Sequence, residues 1–198
     1  MSLHKQAKIL SPKQIDLVLT YLSSTRSSLR NQVIFLLSIK AGLRAKEIAS
    51  LKWSMLVDSD GLISFIQLPN TASKGNSGRS IPINKQLRGI LEEYLLSSKD
   101  TPCFDIHHSF VIQTQRSKNT SPQAIVNMFS SWYADLNLVG CSSHSGRRTF
   151  ITNASRKISM VGGSLRDVQH LAGHSSLQTT QRYIEGNSES KMKVVDLI

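Results

Sequence analysis

At 198 residues and 39% hydrophobic, the chain is long enough for one packed domain and too apolar for a disordered one. It holds no run of about 18 apolar residues and no charged stretch leading into an apolar one near its start, so neither a helical membrane span nor a secretory signal is expected. Twenty-four basic residues against 13 acidic ones give a net charge of +11, spread along the whole chain, which points to a basic surface on a folded body and to polyanions as partners. The two cysteines, Cys103 and Cys141, show neither metal-ligand nor redox spacing, and a reduced cytoplasm is the simplest setting.

Ser11-Pro12-Lys13-Gln14 opens a first helix: serine caps, proline suits the first turn, and glutamine stands three residues after the serine. Ile15, Val18, Leu19 and Leu22 follow at helical spacing. A second helix is predicted from Leu29 to Lys40, with Val33, Leu36, Leu37 and Ile39 apolar and Gly42 ending it. Both read as core helices without chemistry. Arg44 then falls in a tight turn, Glu47 follows three residues later, and Ile48, Leu51 and Trp53 look buried. Taken alone, Arg44 reads as an arginine at the edge of the core, paired to Glu47.

From Gly61 the period changes. Leu62–Leu68 is rich in strand formers, and Arg79–Ile83 is a second short strand, with Pro82 suggesting an edge. The Gly/Asn/Ser-rich stretch between them reads as a hairpin loop whose one charged residue is Lys74. A loop lysine alone is ordinarily just solvated. Asn84 caps a helix to about Leu96, with Leu87, Ile90, Leu91, Tyr94 and Leu95 inward. Residues 97–120 read as a loop around a short Phe110-Val111-Ile112 strand; the adjacent His107 and His108 make no ligand pair. Ser121-Pro122-Gln123 starts a helix to about Leu138, with Ile125, Met128, Phe129, Trp132 and Leu136 inward.

The chemistry concentrates from Ser142 to Gly186. Ser143 precedes a helix running to about Lys157, on which His144 and Arg147, three apart, share a face. Arg148 points about 100° away and reads as structural or DNA-backbone binding. A shorter helix spans Ser164 to Leu171, and Gly173 suits its end. Ser175, with Gln178 three residues on, resembles a capping box, which places Tyr183 about two turns into the next helix. His170 and His174 are four apart, but no third ligand accompanies them and Gly173 lies between, so no metal is expected. A tyrosine hydroxyl can act as a covalent nucleophile, but its ordinary pKa of about 10 calls for positive surroundings or a base. Arginine grips phosphate through a planar fork, and histidine donates to phosphate or moves a proton near neutrality. Together these groups suit attack on a phosphodiester.

The stretch resembles the catalytic end of the tyrosine recombinases, the phage-integrase family. The family's H-x-x-R box matches His144 to Arg147. Its L-G-H box matches Leu171-Ala172-Gly173-His174, with Ala172 standing inside the tripeptide, and Tyr183 follows His174 by the family's nine residues. The first arginine box, G-L-R-x-x-E-x-x-x-L, matches Gly42 to Leu51 in full. The hairpin box K-G-x-x-R-x-x-P is matched by Lys74 to Pro82 with one extra residue before Arg79. The resemblance covers about Ser11 to Gly186.

It implies a mostly helical α+β catalytic domain with a small antiparallel sheet at one edge. It implies a site-specific DNA recombinase, of bacterial or phage origin, that forms a 3′-phosphotyrosine bond without cofactor or metal. In that scheme Tyr183 is the nucleophile, Arg44 and Arg147 clamp the phosphate, Glu47 orients the site, and Lys74 protonates the leaving oxygen. His144 assists proton transfer, and His174 bonds the phosphate. Type IB topoisomerases share this chemistry, and a non-catalytic DNA-binding regulator could keep the fold. The family's usual N-terminal helical domain is expected to be absent, leaving one catalytic domain over 1–198. Its tail, 187–198, carries Met192, Val195 and Ile198 every third residue. By resemblance that tail docks on a neighbouring protomer of a DNA-bound homo-tetramer, the free protein being monomeric; packing on its own domain is the other reading.

Overall fold

The computed structural model of the chain describes residues 6–59, 61–70, 78–114, 117, 119–183 and 195–196. Helix α1 (Pro12–Ser23) starts as its sequence signals. The Ser11 hydroxyl accepts from the Gln14 N–H, the Gln14 side chain accepts from the Ser11 N–H, and Pro12 takes the first position. Helix α2 (Ser28–Lys40) is buried on all sides from Val33 to Ile39 and forms the centre of the fold. Around it pack α1, α3 (Ala45–Ser50), α4 (Lys85–Lys99) and α6 (Ser145–Lys157), while α5 (Pro122–Asp135) crosses α3. Phe129 anchors this core, with Phe35, Trp132 and Tyr133 at ring-centroid distances of 5.3 to 6.5 Å. A second, smaller apolar cluster joins Ile151 of α6 to Val168 and Ala172 of α7 (Leu165–Ala172), with Phe150, Ile158 and Tyr183 against it.

The strands form two antiparallel ribbons: β1 (Val57–Asp58) with β2 (Gly61–Leu62), and β3 (Phe65–Leu68) with β4 (Arg79–Pro82). The single strand expected over Leu62–Leu68 is therefore broken. Leu62 pairs back onto Val57, and the Arg88 guanidinium from α4 donates to the Leu62 and Ile63 carbonyls, both at 2.9 Å, which holds the break open. The strand expected at Phe110-Val111-Ile112 is reduced to one bridge, Lys52 to Phe110. Its partner segment coils into a 3-10 turn at Trp53–Met55, so the ladder cannot extend. Helix α5 stops at Asp135 rather than near Leu138, because Asn137 turns left-handed (φ 53°). Among the described residues, no helix is long and apolar enough to cross a membrane.

Candidate active site

The turn after α2 sets the first group. Gly42 has a φ of +65°, and a Cβ there would collide with the Phe150 ring on α6. This tight passage puts Arg44 at the N-cap of α3, directly over Glu47. The Arg44 N–H donates to Glu47 Oε2 at 2.8 Å, and its Nη1 donates to Oε1 at 2.9 Å.

Glu47 is 1% exposed and serves a second guanidinium from the other direction. Arg79, at the start of β4, donates Nη1 to Oε1 at 2.9 Å and Nη2 to Oε2 at 3.1 Å. Its Nε reaches the Leu171 carbonyl of α7 at 2.9 Å. Burial pushes the Glu47 carboxyl up, but the hydrogen bonds and charge of Arg79, then of Arg44, hold it below its ordinary range. Glu47 is thus an ionised post between two arginines. The Arg79 side chain is 6% exposed and that of Arg44 is 26% exposed, so Arg44 keeps the freer guanidinium.

Arg147, in the first turn of α6, is 4% exposed and donates through Nη1 to the Gly42 carbonyl and through Nη2 to the Ala172 carbonyl. Both carbonyls lie at helix C-terminal ends, of α2 and α7, where backbone dipoles favour a cation. Desolvation first, then the charges of Arg44 and Arg79, lower its pKa to about 10 against the opposing pull of Glu47 and Tyr183. It stays charged near neutrality. Three guanidiniums therefore surround one carboxylate, and the excess positive charge suits an anion such as phosphate.

Gly173 closes α7 with a φ of +60°, and a Cβ there would lie 2.7 Å from Arg79 Nη1. His174 follows. It is 8% exposed, its Nδ1 lies 2.9 Å from Thr180 Oγ1, and its backbone is clamped on both sides by Gln169. Its ring stacks on Tyr183 with centroids 5.4 Å apart and planes 24° from parallel. Burial, then the charges of Arg147, Arg44 and Arg79, push its pKa down to about 4, so the imidazole is neutral.

Helix α8 (Leu177–Gln181) is capped by Ser176, which accepts from the Thr179 N–H, not by Ser175 as the sequence pattern suggested. It is only five residues long. Tyr183 therefore sits in the turn just beyond α8 rather than inside a longer helix. Its carbonyl accepts from the Thr152 hydroxyl of α6 at 3.2 Å, and its ring is held by His174. His144 stands at the N-cap of α6, exposed, so the helix begins at Ser145, one position later than a start directly after Ser143. A cavity of about 370 Å³ brings His144, Arg147, Arg148, Arg182 and Tyr183 together. Another cavity, about 480 Å³, is lined by Arg26, Arg30, Trp53 and Tyr94 and holds none of the candidate residues.

Arg44, Arg147, His174, Tyr183 and His144 are thus assembled at one place, whereas Lys74 lies outside the described residues. Two participants were not evident beforehand. Arg79 marks only the hairpin box in sequence, and its grip on Glu47 appears once the hairpin meets α3. Thr180 carries no sequence signal beyond standing three residues before Tyr183.

The sequence profile described as the phage integrase family matches residues 8–190. The chain belongs to the phage integrase family. It is 29% identical to tyrosine recombinase XerC of Shewanella oneidensis over an alignment covering 99% of this chain and 61% of that protein. It is likewise 29% identical to tyrosine recombinase XerA of Pyrococcus horikoshii, over 87% of this chain and 56% of that protein. The chain thus spans about three fifths of the length of the curated relatives it matches. Among solved structures it resembles the crystal structure of XerA recombinase, with a TM-score of 0.75, 23% identity, and coverage of 96% of this chain and 64% of that one. The Tn1549 transposon integrase in complex with a circular intermediate DNA gives a TM-score of 0.74 at 18% identity, over 98% and 66% of the two chains. The mostly helical fold with a small antiparallel sheet is that of this family's catalytic domains.

Proposed function

We propose that this chain is a DNA strand-transferase that performs site-specific recombination on double-stranded DNA through a 3′-phosphotyrosine. The observation that carries the reading is the stacking of Tyr183 on a neutral His174, beside three arginines, two of which share the Glu47 carboxylate. Tyr183 Oη attacks the phosphorus, the new P–O bond forms, and the bond to the 5′-oxygen breaks. The tyrosine proton passes to His144, and Lys74 supplies the proton that the leaving 5′-oxygen takes. Arg44 and Arg147 neutralise charge on the non-bridging oxygens, and losing one such contact costs about a hundred- to a thousandfold in rate. Attack by the 5′-hydroxyl of another strand reverses the step and rejoins DNA without ATP. Support comes from the family membership, from relatives named tyrosine recombinase, and from the net charge of +11.

The test is Tyr183→Phe with nicked DNA carrying a candidate site. DNA binding should persist, and the detergent-stable protein–DNA adduct should vanish. An adduct formed by the phenylalanine variant overturns the assignment of Tyr183.

The working assembly in this reading is a homo-tetramer on synapsed DNA in the cytoplasm, monomeric when free, with the tail over 187–198 docked on the neighbouring protomer. Most of that tail lies outside the described residues, and Val195 is 69% exposed. Removing Lys191 to Ile198 should spare melting and single-site binding yet abolish exchange between two sites. A large fall in melting temperature would assign the tail to its own core instead.

A further inference from the structure

One buried hydroxyl beside the nucleophile has a single partner. Thr180 is 0% exposed, and its Oγ1 lies 2.9 Å from His174 Nδ1. Either atom could hold the shared proton, and the surroundings decide which does. Among the described residues the Thr180 hydroxyl has no other acceptor. Were Nδ1 the donor, the threonine proton would be buried without a partner, which is destabilising. With threonine as the donor both groups are satisfied, and a neutral imidazole then carries its one proton on Nε2. His174 is held neutral by burial and by the arginines that face it, Arg147 from α6, Arg44 from the turn before α3 and Arg79 from β4. Nε2 itself has no hydrogen-bond partner among the described residues.

We propose that Thr180 is a positioning residue that donates to His174 Nδ1 and so locks the imidazole as the Nε2–H tautomer, a fixed donor toward a phosphate oxygen. This rests on the strand-transfer reading of the site and divides the labour of its two histidines. His174 cannot accept a proton at Nε2 in this state. Proton transfer therefore falls to His144, which is exposed and lines the same cavity as Tyr183. The lock and the nucleophile are also tied together, since the Tyr183 N–H, in the turn beyond α8, donates to the Thr180 carbonyl at 3.0 Å. If α8 shifts, the tyrosine and the tautomer are released together.

The test reads the tautomer directly, by nitrogen-15 NMR of histidine-labelled full-length protein without DNA, at neutral pH. Wild type and Thr180→Ser should show His174 protonated on Nε2 alone, and Thr180→Val should show proton density moved to Nδ1. Adduct formation on nicked DNA should fall about ten- to a hundredfold in Thr180→Val, the scale seen when a partner that orients an imidazole is lost from a metal site, and should recover in Thr180→Ser with binding unchanged throughout. An Nδ1–H tautomer in the wild type overturns the proposal, as does an unchanged tautomer in Thr180→Val. Should the valine variant fail to fold, the wild-type spectrum and the serine variant still decide. Because no DNA is present in the spectra, this outcome stays separate from that of Tyr183→Phe, which tests the reaction itself.

Discussion

The two apolar clusters of this chain are held by different forces. The larger one is filled by rings and branched side chains around α2, such as Phe35, Trp53 and Phe129, all fully buried. The smaller one, between α6 and α7, has only Ile151, Val168 and Ala172 fully buried among the described residues. Beside the packing of α6 on α2, polar contacts fasten it to the larger body: Arg147 bonds the Gly42 and Ala172 carbonyls, and Arg79 joins Glu47 to the Leu171 carbonyl. The candidate phosphate-binding groups are thus also fasteners of the seam. The candidate nucleophile, Tyr183, sits on the less apolar side of it, so stability and site geometry are coupled through the same guanidiniums.

The strongest way to break this comparison is Glu47→Ala. Removing one partner of a buried ion pair leaves an uncompensated charge and costs about 3–5 kcal/mol. Here Arg79, whose side chain is only 6% exposed, loses both of its hydrogen bonds to Glu47. Urea unfolding should show a loss on that scale, and amide exchange should accelerate in α7, where Arg79 releases the Leu171 carbonyl. Unchanged unfolding would mean that the seam is held by its few apolar contacts after all.

The same contrast explains what could be read in advance. The start of α1, the end of α2 at Gly42 and the pairing of Arg44 with Glu47 depend on residues within a few positions, so local pattern sufficed. The break in the strand at Leu62 depends on Arg88 from α4, and the Phe110 bridge depends on a turn at Trp53. Arg79 meets Glu47 across 32 positions of sequence, and Thr180 matters only through the ring it faces. The cap of α8 was ambiguous for a local reason: Ser175 and Ser176 both suit it, and Gln178 drew the capping-box pattern to the wrong serine.

Acid should expose the seam more gently. His174 has its pKa pushed down to about 4 from an ordinary 6.5, by burial first and then by Arg147, Arg44 and Arg79. The unfolded chain therefore takes up this proton first as the pH falls. The contribution is complete above the unfolded value, and it drains away between pH 6.5 and about 4. The slope is at most about 1.4 kcal/mol per pH unit. Glu47, whose pKa is depressed from 4.5, adds its own loss further down, as the pH falls through its lowered value. Unfolding free energies measured from neutral pH downward should fall less steeply for His174→Gln than for wild type in the upper window. Parallel curves would show that His174 is not the group responsible.

The smallest effect gives the sharpest comparison, because the same chemical change can be made on both sides of the seam. Ser11 caps α1 and Ser176 caps α8, each accepting from the N–H three residues on at 3.3 Å. Replacing either with alanine removes one such bond, a loss of about 1 kcal/mol. Helix α1 is docked on the large core through Val18 and Leu22, whereas α8 buries only Thr180. Loss of the first cap should therefore appear in global unfolding. Loss of the second should appear as local opening: exchange over Thr179 to Tyr183 about fivefold faster, with the melting temperature nearly unchanged. The Ser176→Ala protein should also form its DNA adduct more slowly, since the same opening carries Tyr183 away from His174. If both variants lowered the melting temperature equally, α8 would unfold with the main core. The site would then be as rigid as the helices beneath it, and the division drawn between the two clusters would fail.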